Sequence, residues 1–141
     1  MPDTPRPPLA GLRVIESAIL APASITTAFA DLGAEVIKIE TPAGDYIREM
    51  TWPIIEGVSL MHYHINRGKR SLTLDLRKES AREVYRDLVR GADVVIEGSK
   101  PGALARFGLG YDELRAVNPK IVFCTISGYG TTGPYKDMPS H

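Results

Sequence analysis

The stretch "LRVIESAILAPASITTAFADLGAEVIKIE", residues 12–40, decides the fold. Leu12–Glu16 reads as a short strand. Ile25, Ala28, Phe29 and Leu32 then recur at i, i+3, i+4 and i+7, the spacing of one helix face. Pro22 and Ser24 mark the expected start of that helix, and Gly33 stands where the residue after a C-cap belongs. "EVIKIE", residues 35–40, is a second strand, rich in β-branched residues. Strand, helix and strand with short connections make a βαβ unit, whose strands run parallel.

The same alternation continues outward. "TPAGD" (41–45) is a turn, and the chain from there to about Gly68 reads as irregular or weakly helical. "RSLTLDL" (70–76) alternates with period two and predicts a strand. Ala81, Val84, Tyr85, Leu88 and Val89 repeat the helical spacing between Glu79 and Arg90, with Gly91 as the stop. "ADVVIE" (92–97) is a strand. "KPGALARFG" carries Pro101 near a helix start and Gly108 as a stop, and "YDELRAVNP" predicts a further helix ended before Pro119. "KIVFCTIS" (120–127) is the last strand, apolar enough to be expected under cover on both faces. Five strands alternating with helices define an α/β, Rossmann-like fold with a mostly parallel sheet flanked by helices.

The chain has 141 residues, of which 43% are hydrophobic and 24% charged, an ordinary globular composition. Lys plus Arg and Asp plus Glu are both 17, so no bulk positive field points to nucleic acid or an anionic membrane. No apolar run approaches the ~20 residues of a membrane span. The single cysteine, Cys124, has no partner for an internal disulfide, which fits a cytoplasmic location; in an apolar strand it is expected to be a buried, inert thiol. The opening "MPDTPRPPLAGLR" has four prolines and no signal-like apolar core, so residues 1–8 are expected to form an extended arm.

Gly128, Gly130 and Gly133 spell G-x-G-x-x-G, but "GPYKDMPSH" follows without helical periodicity. A dinucleotide site needs a helix N-terminus at that point, so the string reads instead as a glycine-rich turn. His62 and His64 lack a third ligand nearby and predict no metal site. Ser127 is not in a G-x-S-x-G elbow. Arg67, Lys69, Arg70 and Arg77 cluster around one strand, with Lys100 and Arg106 after another. Guanidinium groups suit phosphate, and ligands of open α/β sheets bind beyond strand carboxyl ends. The residues alone thus describe an α/β domain and leave two readings of these cations, a solvated charge cluster on a loop or a cleft for an anionic ligand.

Several segments in order resemble the family III CoA-transferases, the group of formyl-CoA, carnitine and bile-acid CoA-transferases that also includes α-methylacyl-CoA racemases. They are "PLAGLRVIE", "ADLGAEVIKIETPAGDYIR", "NRGKRSLTLDLR" and "ADVVIEGSKPGALARFGLGYDELRAVNPKIVFCTISGYGTTGPY". The resemblance implies acyl-CoA and a carboxylic acid as substrates, CoA as the carried group, no tightly bound cofactor, and interlocked homodimers. It places the nucleotide end of CoA on this N-terminal half, at positions matching Ile19, Leu20 and Ala21, then Leu74 and Arg77, then Gly98, Ser99, Arg106 and Phe107. Arg77 and Arg106 would meet phosphates; Leu74 and Phe107 would flank the adenine.

The pattern departs at three places. Thr41 stands where many relatives carry a basic residue. Gly98-Ser99 replaces a common Asn-Phe pair, and "LAPAS" puts Pro22 where a glycine is frequent. The family's aspartate nucleophile, which forms covalent acyl intermediates, has no counterpart in this chain, since Asp137 falls too early. Residues 9–141 are therefore expected to be an N-terminal CoA-binding domain without turnover by itself. Under a racemase reading His141 would match the acid–base histidine; a non-catalytic CoA-binding half is the other alternative.

Overall fold

The computed structural model describes residues 6–138. The chain enters through β1 (Arg13–Ser17), α1 (Leu20–Asp31) and β2 (Glu35–Glu40), followed by a 3-10 turn at Tyr46–Arg48. A small hairpin, β3 (Pro53–Ile55) and β4 (Val58–Ser59), leads into α2 (Leu60–Asn66) and β5 (Arg70–Thr73). Then come α3 (Glu79–Arg90), β6 (Val94–Glu97), a 3-10 helix at Ala105–Phe107, α4 (Tyr111–Val117) and β7 (Val122–Thr125).

Five strands form one sheet in the order β5-β2-β1-β6-β7, and every neighbouring pair is parallel. The α/β, mostly parallel architecture expected from the sequence is the one observed. Val14, Ile15, Val36, Val95 and Ile96 fill the middle of the sheet and are buried. Their β-branched side chains suit a pleated surface covered from both sides. On one face Ile15 and Val95 pack with Tyr85 and Val89 of α3, Leu114 of α4, and Leu104 and Leu109. On the other face Val14, Val36 and Ile96 pack with Phe29 and Ala30 of α1 and with Leu9 and Leu12.

Gly33 ends α1 as expected. Its φ of +94° is a conformation that favours glycine, and the Pro7 ring lies 2.4 Å from where a Cβ would stand.

Several boundaries differ from the sequence reading. α1 begins at Leu20, so Pro22 lies inside its first turn, where no intrahelical N–H is needed. Ser24 does not cap it; its hydroxyl donates back to the Ala21 carbonyl at 2.6 Å. Residues 41–68, expected to be irregular or weakly helical, contain the 3-10 turn, the hairpin and α2. Asp45 caps the 3-10 turn by accepting from the Ile47 N–H, and Ser59 caps α2 by accepting from the His62 N–H. In the 97–108 segment only Ala105–Phe107 is helical, closed by left-handed Gly108.

The largest correction concerns β7. It is an edge strand, paired with β6 alone, and Val122 is 59% exposed. The α1 layer reaches β1, β2 and β6 but leaves that face of β7 open. Cys124, expected to be buried, is exposed for the same reason. After β7, residues 128–138 run through bends and turns without a helix.

Candidate functional site

Strand order reverses direction between β1 and β6, since β1 continues to β2 on one side while β6 leads to β7 on the other. Connections at such a switch point diverge above and below the sheet and leave a crevice at the strand carboxyl ends. A cleft of about 700 Å³ opens there. Its wall comes from residues 17–19 at the end of β1, 38–45 at the end of β2, 74–77 after β5, and 98, 99, 103, 104 and 107 after β6. That volume lies in the range of small-molecule sites.

Six of the nine residues nominated from sequence meet in this wall: Ile19, Leu74, Arg77, Gly98, Ser99 and Phe107. Three do not. Leu20 is the first residue of α1 and packs instead with Ala18, Ala23 and Ile47. Ala21 is exposed on the first turn of the helix. Arg106 sits on the 3-10 helix between the lining residues Leu104 and Phe107, turned to solvent. Among the described residues Lys100 and Arg106 are in no ion pair, whereas Arg67 is bound to Asp31 and Arg70 to Glu35. His141 lies outside the described residues.

Of the β2 side of the cleft, from Lys38 to Asp45, sequence reading singled out only Thr41. The signal was available: in a parallel sheet every strand's carboxyl end faces the same crevice, so "IETPAGD" had to border it.

Beneath that side lies an ion network with two acids and two lysines. Lys38 Nζ meets Glu16 Oε1 at 2.7 Å, Asp45 Oδ2 at 2.9 Å and the Ala18 carbonyl at 2.6 Å. Lys69 Nζ meets Glu16 Oε2 at 2.7 Å and the Ala23 carbonyl at 2.6 Å. Thr26 donates its hydroxyl to Glu16 as well. All four charged side chains are no more than 2% exposed. Burial pushes the Lys69 ammonium down, while Glu16 pulls it up. The network ties the loop after β1, through the Ala18 carbonyl, to the turn after β2, through Asp45, and so sets the spacing of two cleft walls.

Glu40 anchors the next layer. It accepts two hydrogen bonds from Arg48 at 2.7 and 3.0 Å, one from Ser71 at 2.6 Å, and one from the Asp45 N–H at 2.9 Å. Burial alone would raise its carboxyl, but the Arg48 and Ser71 hydrogen bonds outweigh that and hold it down to about 2. At the end of β6, Glu97 accepts from the Thr125 hydroxyl at 2.9 Å, while its second oxygen is buried with no hydrogen-bond partner among the described residues. Burial pushes this carboxyl up. Ser17, on the cleft wall, shares a 3.0 Å hydrogen bond with the buried Tyr85 hydroxyl.

The cleft therefore combines the apolar side chains of Leu74 and Phe107 with the exposed guanidinium of Arg77 in its wall, above an internally neutralised floor. It offers no cluster of three or more metal-ligating side chains among the described residues. His62 and His64 lie on α2 rather than on a strand, and His62 Nδ1 is 3.0 Å from the Asn66 amide.

Known proteins share this fold and sequence. A succinate–glutarate CoA-transferase from Agrobacterium fabrum is 46% identical over 100% of this chain, which covers 38% of that protein. An acetyl-CoA:oxalate CoA-transferase from Acetobacter aceti is 39% identical over 99% of the chain and 36% of its own length. The crystal structure of a CAIB/BAIF family protein from Brucella suis superposes with a TM-score of 0.88 at 46% identity, over 96% of this chain and 37% of that one. The chain thus spans little more than a third of the length of these relatives. The model of CoA-transferase family III matches residues 9–141, nearly the whole chain, and the protein belongs to that family.

Proposed function

We propose that the cleft holds the adenosine and phosphate end of CoA, and that this chain is the nucleotide-holding N-terminal part of an acyl-CoA:carboxylate CoA-transferase. The observation that carries the reading is the convergence of six residues nominated independently of the structure on one cleft at the sheet's switch point. Leu74 and Phe107 flank the adenine from opposite segments, Ser99 supplies a hydroxyl, and Arg77 supplies a phosphate partner. Arg106 and Lys100, charged and unpaired beside the cleft, draw the anionic ligand toward it.

Overall the transfer exchanges one thioester for another: the C–S bond to one acyl group breaks, a C–S bond to the other forms, and an oxygen from the incoming carboxylate leaves with the released acid by way of acyl intermediates on the nucleophile. It needs a carboxylate nucleophile and no redox cofactor. Residues 9–141 act as the CoA-binding domain; of the arm expected over residues 1–8, residues 1–5 lie outside the described residues. By itself the chain binds CoA without turning it over. The transferase names of the relatives support transfer over α-carbon racemisation. The working form of the enzyme is a cytoplasmic homodimer.

Isothermal titration with CoA and with adenosine tests binding. Saturable heat with CoA and a rise in melting temperature are expected; no heat and no shift would overturn the reading. Incubation with an acyl-CoA and a free dicarboxylic acid tests inactivity, and steady exchange of CoA between the acids would refute it.

A further inference from the structure

The wall of the cleft contains two cations, Lys38 and Arg77. Lys38 is 2% exposed and saturated by three acceptors within 2.9 Å, so it has no donor to spare. Arg77 is different. Its side chain is 78% exposed and is held by one carboxylate, with Nε 2.7 Å from Asp75 Oδ1 and Nη2 3.0 Å from Asp75 Oδ2. Both residues line the cleft. Arg77 is thus the cation of the wall with donors to spare, and Asp75 already occupies its Nε/Nη2 edge, one of the two edges by which a guanidinium grips a phosphate.

We propose that Asp75 competes with ligand phosphate for Arg77, so that it sets the affinity and the release of the phosphorylated ligand. The proposal rests on the CoA reading for the identity of that ligand. Asp75 can give up the guanidinium without loss of the turn, because its Oδ1 also accepts from the Arg77 backbone N–H at 3.2 Å and its carbonyl accepts from the Lys78 N–H at 2.9 Å. Once released, its carboxylate stays at the mouth of the cleft and repels the phosphate that displaced it. Both effects weaken binding and speed release, while the pair keeps Arg77 ordered over the cleft beforehand. The ion pair also holds the Asp75 carboxyl below its ordinary range, so it remains charged near neutral pH.

The test is titration calorimetry of CoA and of phosphate-free adenosine against the wild type, Asp75→Asn, Arg77→Gln and the double variant, each checked by thermal melting. Asp75→Asn is expected to tighten CoA by about three- to fivefold, the scale of an exposed ion pair, and to leave adenosine unchanged. Arg77→Gln weakens CoA, and the gain from Asp75→Asn shrinks in its presence. Unchanged or weaker CoA binding by a folded Asp75→Asn protein overturns the inference; weaker binding would make Asp75 an orienting group for Arg77. Failure of the wild type to bind CoA overturns the CoA reading itself and takes the inference with it.

Discussion

Pro22 and Gly98 occupy one another's space: a Cβ on Gly98 would lie 2.6 Å from the Pro22 Cβ and 2.9 Å from its Cγ. The proline in the first turn of α1 and the glycine at the end of β6 are thus one packing arrangement. The proline ring takes the room that a side chain at position 98 would need. Because Gly98 lines the cleft, this pair also shapes the wall beside Ser99.

Gly98→Ala is expected to destabilise the fold by about 1–3 kcal/mol through overpacking. Adding Pro22→Gly, which removes both the Cβ and the Cγ that a side chain at position 98 would meet, should recover much of that loss, a coupling above about 0.5 kcal/mol for residues in contact. Urea denaturation of both single variants and the double variant measures it; additive effects would refute the exchange of space.

Lys38→Met leaves Glu16 and Asp45 buried with one cation fewer. Breaking a buried ion pair from one side costs about 3–5 kcal/mol. A loss of that size in denaturant midpoint, with weaker CoA binding because two walls lose their shared anchor, is the expected result. A near-neutral change would mean that the network does not hold the walls.

Two carboxyls give opposite pH dependences. The Glu40 carboxyl is depressed from 4.5 to about 2, so its contribution is complete above pH 4.5 and is lost as pH falls toward 2. The shift corresponds to about 3.4 kcal/mol, reduced to about 2–3 kcal/mol by solvent screening of the part-exposed Arg48, and Glu40→Gln should abolish that part of the acid transition. The Glu97 carboxyl is raised above 4.5, so its folded form favours the proton and stability falls as pH rises from 4.5 through the raised value. Glu97→Gln should flatten that limb and stabilise the protein at neutral pH. Melting curves from pH 3 to 8 separate the two.

Exposed on an edge strand, Cys124 should react with a thiol reagent in the native protein at a rate near that of a free thiol. Protection until denaturant is added would show that the β7 edge is covered in solution.

The pattern of residues 12–40 was enough for the parallel βαβ unit, since period and length separate strand from helix and a short connection forces parallel pairing. Tyr85 and Val89 were placed on the buried face of α3 by spacing alone, and both are fully buried. Local pattern failed where long-range packing decides. The run Ile121–Ile126 is apolar whether its strand lies in the middle of a sheet or at its edge, and only strand order made Val122 and Cys124 exposed. Lys69, grouped by sequence with Arg67, Arg70 and Arg77, is instead buried against Glu16 together with Lys38, and nothing local reveals that Glu16, 22 residues before Lys38, waits beneath both.

For the site, residue type and order along the chain determined which segments carry it, because each strand's carboxyl end in a parallel sheet faces the same side. Which side chains reach the cleft was settled by tertiary structure. The start of α1 at Leu20 turned Leu20 away, the 3-10 geometry at Ala105–Phe107 turned Phe107 in and Arg106 out, and packing of Pro22 on Gly98 set the wall between them. Side-chain direction depends on where a turn begins, to a single residue, and that is fixed by contacts distant in the chain.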